Sequence, residues 1–202
     1  MSLEPGRRSW RLIALDLGEF IVELLKVVLI SMAIIFPVRY YVVQPFYVKG
    51  ASMEPSFFDH EYLVIDELSY RFYEPARGDV VVFRYPRDPR QFFIKRIIGL
   101  PGETVRIQSG SVTVVDAQHP DGFRLPEKYL ESVVTTSGEM TVSVGAGEYF
   151  LLGDNRPASL DSRIFGVVPT RYLVGRVWLR AWPVSRWTVF RSGVMTAATV
   201  LP

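Results

Sequence analysis

Two stretches of this 202-residue chain hold residues that could together form a nucleophile and its base. Ser52 follows small residues in the turn-like sequence YVKGASMEP, residues 47–55, which leaves its hydroxyl accessible. Lys95 lies in the apolar run FFIKRIIG, residues 92–99. A lysine buried among apolar side chains loses hydration, so its pKa falls and the neutral amine can act as a general base. The pattern predicts acyl transfer, in which Lys95 takes the proton of Ser52 and Ser52 attacks a peptide carbonyl.

The orientation of Lys95 decides whether this chemistry is available. In a strand, alternate side chains share a face, which puts Phe93, Lys95 and Ile97 together. Arg96 must then point the other way, so we expect Lys95 to be buried and Arg96 to be exposed. The alternatives are that Lys95 faces solvent and that Ser52 is an ordinary loop serine.

A third stretch could orient a buried amine. Residues 153–166, GDNRPASLDSRIFG, are dense in Asp, Asn, Ser and Arg immediately after an apolar run. Such a loop can supply hydrogen bonds to a neighbouring polar group. The alternative is a solvated turn.

Composition excludes several other kinds of site. The chain contains no Cys, so disulfides and thiolate chemistry are absent. Its net charge is only +2, which predicts no nucleic-acid partner. The two histidines, His60 and His119, lie in polar surroundings and are predicted to be surface residues. We predict no metal ion and no cofactor.

The N-terminal part of the chain has the pattern of a membrane anchor. Residues 1–19 are polar and include three arginines, and residues 20–38 are predominantly apolar. As a helix the apolar segment spans roughly 28 Å, close to the hydrocarbon thickness of a bilayer. We predict a cytoplasmic segment over residues 1–19 and a transmembrane helix over residues 20–38, with the rest translocated. The alternatives are a cleavable signal peptide and a buried helix of a soluble domain.

The remaining sequence predicts a mostly β, antiparallel catalytic domain over residues 40–190. Short runs rich in β-branched and aromatic residues alternate with Gly and Pro. The predicted strands cover residues 42–43, 46–48, 61–66, 79–83, 92–98, 104–107, 111–115, 141–144, 149–152 and 173–180. A smaller inserted β-ribbon subdomain is predicted at about residues 105–147, with a hairpin turn at 108–110 and a short helix at 126–131. Residues 191–202 form a tail without a clear signal.

Four motifs in this order resemble those of bacterial type I signal peptidases, which are membrane-bound serine proteases. The motifs are residues 50–55 (GASMEP), 77–83 (RGDVVVF), 93–103 (FIKRIIGLPGE), and 153–156 (GDNR) with Ser159, 161–163 (DSR) and 165–166 (FG). The resemblance extends over about residues 20–185.

The resemblance implies roles for individual residues. The catalytic dyad would be Ser52 as nucleophile and Lys95 as general base, and the backbone N–H of Ser52 would donate to the oxyanion. The residues that would support the base are Ser159, through a hydrogen bond to the lysine amine, Asp161 and Arg163 as an ion pair, and Asp154, which would shape the loop. The residues that would bind substrate or the oxyanion are Gly50, Ala51, Ser52, Phe93 and Ile94.

Two positions depart from the pattern of the family. Some members carry a serine where this chain has Gly50, and its hydroxyl completes the oxyanion hole. The second donor here could be a Gly50 backbone group or a water. The third stretch usually has Asp-Asn where this chain has Pro157 and Ala158. The local hydrogen bonding therefore differs from that of typical members.

The resemblance also implies the setting of the reaction. The expected substrates are preproteins at the translocation machinery, cleaved after small residues in their signal peptides. The expected location is the bacterial cytoplasmic membrane, with a monomer in contact with the lipid bilayer and the catalytic domain on its outer side. Two rival hypotheses are a non-catalytic anchored β-domain scaffold and a self-cleaving Ser-Lys protease of the repressor type.

Overall fold

The structure is a computed structural model that describes residues 6–41, 43–130 and 134–193. The chain divides into two units, Met1–Val42 and Val43–Pro202. In the first unit one long helix, α1, covers Gly6–Tyr41. Its sequence is rich in Leu, a strong helix former, and in Ile, and nearly all side chains at residues 16–36 are exposed.

Among the described residues, no helix is both long and apolar enough to cross a membrane. The predicted transmembrane helix over residues 20–38 is therefore not supported, although the residues are helical as predicted.

The regular secondary structure of the second unit is mostly antiparallel strands, which confirms the predicted fold class in this respect. The strands are β1 (Val43–Tyr47), β2 (Tyr62–Asp66), β3 (Val80–Tyr85), β4 (Asp88–Gly99), β5 (Thr104–Gln108), β6 (Ser111–Val115), β7 (Phe123–Arg124), β8 (Met140–Ser143), β9 (Glu148–Leu152), β10 (Val168–Pro169), β11 (Leu173–Trp182) and β12 (Thr188–Val189). A four-residue helix, α2, covers Ser162–Phe165, and single 3₁₀ turns lie at Ser69–Arg71, Arg156–Ala158, Thr170–Tyr172 and Val184–Arg186.

The larger sheet has the strand order β1-β2-β11-β3-β4-β9-β10, with β12 also paired to β11. The smaller sheet has the order β7-β6-β5-β8 and is formed by chain between β4 and β9. Gln108 pairs with Ser111, so Ser109 and Gly110, both with positive φ, form a two-residue hairpin loop, one residue shorter than predicted.

The short helix predicted at residues 126–131 is wrong over the part that the structure describes. Residues 128–130 form a turn, closed by the Leu130 N–H on the Glu127 carbonyl. The side chains explain the difference, because Tyr129 is buried and the Glu127 carboxylate pairs with Arg156 of a distant loop. These tertiary contacts outweigh the local preference for helix.

Strand β4 connects the cores of the two sheets. Ile97 packs with β3 and β9 side chains on one face, whereas Ile98 joins the core under the smaller sheet. Gly99 ends the strand where a Cβ would lie 2.5 Å from a Val105 methyl, so only glycine lets the two sheets pack this closely. The strand that carries Lys95 is therefore held from both sides.

Two strand segments in the larger sheet have one free side. Strand β1 pairs only with β2, and Pro45 is tolerated there because it lies in an edge strand. Strand β4 pairs with β9 only from Arg96 onward, so its first half has no partner on that side among the described residues. The rings of Phe46 and Phe92 lie 5.5 Å apart, so the two free edges approach each other.

Candidate active site

Ser52 lies in a tight turn between β1 and β2. Gly50 has φ +92°, a conformation that glycine adopts without strain, and its N–H donates to Asp59 Oδ1 at 2.9 Å. Behind the turn, Met53 and Phe57 are completely buried and fix it to the core of the domain. The Gly50 N–H is thus engaged by Asp59, so it is not the second oxyanion donor considered above.

Lys95 is buried, as predicted, with 3% of its surface exposed. Its Nζ lies 2.6 Å from Ser52 Oγ and donates to the Ile94 carbonyl at 2.8 Å. The Phe93 ring lies 5.6 Å from the same nitrogen. Burial lowers the pKa of Lys95 to about 8, although the nearby charges of Asp161 and Asp154 oppose the shift. With that pKa, roughly a tenth of the molecules hold a neutral amine at pH 7.

The prediction that Arg96 is exposed is wrong, since only 4% of it is accessible. Its guanidinium forms two hydrogen bonds with the Asp154 carboxylate, at 2.9 and 2.6 Å, and donates to the Gly78 carbonyl at 3.0 Å. The ring of Tyr129 lies 4.0 Å from the guanidinium carbon. Both faces of β4 are covered here, so neighbouring basic residues are both buried. Asp154, which the resemblance implied would shape the loop, is the carboxylate that pairs with Arg96.

The loop over residues 153–166 carries the predicted ion pair but not the predicted contact to the amine. Asp161 and Arg163 form a two-pronged pair with N–O distances of 2.8 Å. Ser159 was expected to form a hydrogen bond with the Lys95 amine, yet its buried Oγ has no hydrogen-bond partner among the residues that the structure describes. The Oγ instead packs against Gly153, where a Cβ would lie 2.1 Å from it and 2.5 Å from the Ser52 carbonyl. The residue at 153 must therefore be glycine for the loop to reach the Ser52 turn.

Two residues of this loop have structural roles that sequence reasoning did not assign. Asn155 donates from its backbone N–H to the Ser52 carbonyl at 3.1 Å and from Nδ2 to the Ala51 carbonyl at 3.0 Å. Arg156 is buried and contacts the Gly153 carbonyl, Thr136, Tyr129 and Glu127. Both residues belong to the GDNR motif, residues 153–156, but the local sequence does not indicate which distant residues they contact.

A cleft of about 300 Å³ opens beside Ser52 and Lys95. The residues that line it are Phe46, Tyr47, Val48, Lys49, Gly50, Ala51, Ser52, Leu63, Val82, Phe92, Phe93, Ile94, Lys95, Ala158 and Leu160. All the residues predicted to bind substrate are among them. Most of the lining is apolar, so the cleft suits an extended chain with small apolar side chains.

Neither histidine lines this cleft, and both lie at the surface. Their side chains are 73% exposed for His60, which contacts the adjacent Asp59, and 51% exposed for His119, which contacts Asp116 three residues earlier. Neither is a buried, oriented imidazole of the kind that base catalysis requires.

Comparison with known proteins gives a family. The family model of the signal peptidases, peptidase S26, matches residues 21–182. The chain belongs to this family. It is therefore an enzyme, a peptidase of the serine endopeptidase type, as predicted.

Curated relatives within the family match most of the chain. A probable signal peptidase I-1 of Synechocystis is 34% identical over 176 residues, which cover 84% of this chain and 86% of that protein. A probable signal peptidase I-2 of the same organism is 38% identical over 170 residues, which cover 81% of this chain and 74% of that protein. A crystal structure of a signal peptidase I from Enterococcus faecalis is 33% identical, covers 52% of this chain and 97% of that one, and has a TM-score of 0.44.

The scaffold hypothesis made a geometric prediction that is wrong. It required Ser52 and Lys95 to be far apart or exposed, whereas their side chains are in contact and Lys95 is buried. Membership in the signal peptidase family also separates the chain from self-cleaving repressors.

Proposed function

We propose that this enzyme removes signal peptides from exported preproteins, with Ser52 as nucleophile and Lys95 as general base. The observation that carries the proposal is the 2.6 Å contact between Lys95 Nζ and Ser52 Oγ. A buried lysine whose pKa is lowered to about 8 can exist as a neutral amine near physiological pH. The Ile94 carbonyl accepts one amine hydrogen and so helps to direct the nitrogen lone pair at the hydroxyl.

Acylation is the first half of the proposed reaction. Neutral Lys95 accepts the hydroxyl proton of Ser52 while Oγ bonds to the carbonyl carbon of the scissile bond. The resulting ammonium returns this proton to the nitrogen of the mature protein as the carbon–nitrogen bond breaks. The signal peptide is left as an ester on Ser52.

Deacylation uses the same base. Lys95, neutral again, takes a proton from a water molecule whose oxygen attacks the ester carbon. The carbon–Oγ bond then breaks and the proton on Lys95 returns to Ser52. The signal peptide leaves as a carboxylic acid, which loses its remaining proton to solvent and becomes a carboxylate. The cycle regenerates the starting protonation states.

The proposed oxyanion donor is the backbone N–H of Ser52. This N–H donates no hydrogen bond to any described residue. A donor of this kind typically lowers the barrier by about 3 kcal/mol. The Gly50 N–H is engaged by Asp59, so a water is the remaining candidate for a second donor.

The substrate would bind as an extended strand between the two free edges described above. The N–H and C=O of Val48 bond to the chain that leads into β2. Because these groups alternate in direction along a strand, the N–H and C=O of Tyr47 and Lys49 point to the free side. The backbone N–H and C=O of Ile97 bond to the segment before β3. By the same alternation, the backbone groups of Phe92 and Ile94 point to the free side of β4. A substrate strand could therefore receive main-chain hydrogen bonds from both sides. The apolar side chains of Val82 and Leu63 line the cleft, whose small volume favours small residues before the scissile bond.

The decisive experiment is cleavage of a purified preprotein by the full chain and by its Ser52→Ala and Lys95→Ala variants. Each substitution removes one half of the dyad, so we expect a loss of about 10⁴-fold or more with an unchanged circular dichroism spectrum. The parent's kcat/KM should rise with pH through about 8, because only the neutral amine accepts the proton. The exposed Lys128→Ala is the control and should retain full activity.

Either of two results would exclude the dyad. The first is activity of a dyad variant within a few-fold of the parent. The second is a pH profile that stays flat into the acid range.

We further propose that α1 attaches the enzyme to the bacterial cytoplasmic membrane, where signal peptides are presented by the translocation machinery. The support is chemical: large apolar side chains between Leu17 and Phe36 are exposed on the helix, which favours contact with lipid. The catalytic unit would act on the outer side, as a monomer.

Attachment can be tested by flotation of the full chain with lipid vesicles. We expect the parent to float, and a Leu25→Asp, Leu29→Asp double variant of α1 to remain at the bottom of the gradient. A Phe72→Ser variant, which removes an exposed aromatic ring of the catalytic unit, is the control and should float. Because the chain contains no Cys, one cysteine introduced at Lys128 and labelled from outside intact cells tests the orientation. A parent that does not float, or a Lys128 label that requires lysis, contradicts the proposal.

A further inference from the structure

Asn155 holds the two peptide groups that flank the Ser52 Cα. Its Nδ2 donates to the Ala51 carbonyl at 3.0 Å, and its backbone N–H donates to the Ser52 carbonyl at 3.1 Å. The Ala51 carbonyl also accepts from the Glu54 N–H, at 3.2 Å, within the turn. Of these contacts, only the Nδ2 bond comes from a side chain outside the turn.

The hydrogen bond from Asn155 Nδ2 to the Ala51 carbonyl also constrains the Ser52 N–H. The Ala51 C=O and the Ser52 N–H belong to the same peptide group, which is planar and trans. In a trans peptide these two bonds point in opposite directions. A side chain that holds the carbonyl on one side therefore sets the direction in which the Ser52 N–H points on the other.

The loop segment that carries Asn155 is held by several contacts. The Asn155 carbonyl accepts the Ala158 N–H at 3.0 Å, which closes the 3₁₀ turn over Arg156–Ala158. Arg156 is 1% exposed and binds the Gly153 carbonyl at 3.0 Å as well as the Glu127 carboxylate. A group fixed by such contacts can position a neighbour without an entropic penalty at the moment of reaction.

We propose that Asn155 is a positioning residue for the oxyanion donor, which acts by preventing rotation of the Ala51–Ser52 peptide group. The inference rests on the proposed function of Ser52. The Ser52 N–H bonds to the oxyanion only after attack has begun, so misorientation lowers kcat and leaves KM unchanged. Asn155 acts through this peptide group and not through Lys95, so the pH dependence is also unchanged.

The kinetic test compares Asn155→Ala, Asn155→Asp and Asn155→Gln in the full chain with a preprotein substrate. Asn155→Ala should lower kcat by about 10- to 100-fold, less than the loss from removal of a donor outright, with KM within two-fold. Asn155→Asp keeps the shape but cannot donate at neutral pH, so its kcat should be at least as low. Asn155→Gln keeps the donor and should recover part of the loss. The midpoint of the pH profile should stay at the parent's value in all three variants.

Gln118→Ala is the matched control, because it removes an exposed carboxamide far from the loop in sequence and should leave kcat unchanged. The inference is overturned if Asn155→Ala retains kcat within two-fold of the parent, if the loss lies in KM, or if the pH midpoint moves. Each of these results can occur while Ser52→Ala is still inactive, so they leave the proposed function intact.

A second measurement does not depend on activity, and its deciding result is read in the parent. Asn155 is the only asparagine in the chain, so labelling with ¹⁵N-asparagine gives one side-chain amide nitrogen, with one signal for each of its two hydrogens. In the parent we expect slow exchange of one Nδ2 hydrogen with solvent, because it is bonded to Ala51. The Ser52→Ala variant should keep this protection, since the bond uses a backbone carbonyl. Solvent-like exchange of both hydrogens in the parent would overturn the inference.

Discussion

Lys95 and Arg96 are neighbours on one strand and almost equally buried, yet their surroundings treat the two charges in opposite ways. Arg96 meets the Asp154 carboxylate in a two-pronged pair, and this partner raises its pKa even though burial acts to lower it. The hydrogen-bond partners of Lys95 in the described part of the chain are a hydroxyl and a carbonyl, and burial lowers its pKa to about 8. Burial alone therefore does not decide the charge of a basic residue; the presence of a bonded anion does.

This difference in charge partners suits Arg96 to a structural role and Lys95 to the proposed proton transfer. The Arg96 pair joins β4 to the loop over residues 153–166 and is permanently charged, so it can contribute to positioning but not to proton transfer. Within the described part of the chain Lys95 has no bonded carboxylate, so its proton is held more weakly, as the proposed exchange with Ser52 requires. The comparison predicts that substitution of the two residues changes the free energy of unfolding in opposite directions.

Breaking the Arg96 pair should have the largest effect. Arg96→Met leaves the Asp154 carboxylate buried without its partner, which should lower the free energy of unfolding by about 4 kcal/mol. Urea unfolding of the full chain in detergent micelles measures this change. The control is Arg90→Ala, which removes the partner of Asp88 from a pair whose arginine is 89% exposed and should change stability by less than about 1 kcal/mol. A second variant, Arg96→Met with Asp154→Leu, removes both charges and should recover most of the loss. Equal effects of Arg96→Met and Arg90→Ala would contradict the comparison.

Removing the Lys95 amine should do the opposite at neutral pH. The depression of its pKa from 10.5 to about 8 corresponds to about 3 kcal/mol of destabilisation, and the lost bond to Ser52 offsets about 1 kcal/mol. Lys95→Met should therefore stabilise the fold by about 2 kcal/mol at pH 7 while abolishing activity. Between pH 8 and 10.5 the unfolded parent binds a proton that the folded parent does not, so the parent's stability rises with pH and the advantage of the variant shrinks.

Urea unfolding at pH 7, 9 and 10.5 tests this prediction. The same exchange at the exposed Lys128 should alter stability by less than about 0.5 kcal/mol. A Lys95→Met variant that is less stable than the parent at pH 7 would show that the lysine contributes to folding as Arg96 does.

The sequence could predict what depends on local pattern. Alternation within residues 92–99 correctly indicated that Lys95 faces the core, and the β-branched runs correctly indicated most strands. The burial of Arg96 could not be foreseen, because its partner Asp154 is 58 residues away in sequence. A lone arginine beside a buried lysine is expected to be exposed until its carboxylate is known.

The remaining errors have the same origin. The helix predicted at residues 126–131 did not account for Arg156, which takes the Glu127 carboxylate from a loop 29 residues away. The predicted contact from Ser159 to the amine assumed an approach that the packing of Ser159 against Gly153 does not provide. The candidate dyad was predictable because it follows from residue type and local surroundings. The contacts that orient it were not, because they depend on how distant segments meet.

The smallest predicted effect concerns the charge near Lys95 that opposes its burial most strongly. Asp161 is the first of two carboxylates that raise the pKa of the amine against the effect of desolvation. Asp161→Asn removes this charge, so the pKa of Lys95 should fall further and the acid limb of the kcat/KM profile should move to lower pH. The absolute rate should also fall, because the variant loses its ion pair with Arg163 and weakens the start of α2. The informative quantity is therefore the ratio of variant to parent activity, which should increase as the pH is lowered from 9 to 6.

Asp161→Glu keeps the charge and serves as the control, with its acid limb close to that of the parent. An acid limb that moves to higher pH in Asp161→Asn would mean that the amine is not held neutral by burial against these charges, and Lys95 would then resemble Arg96 after all.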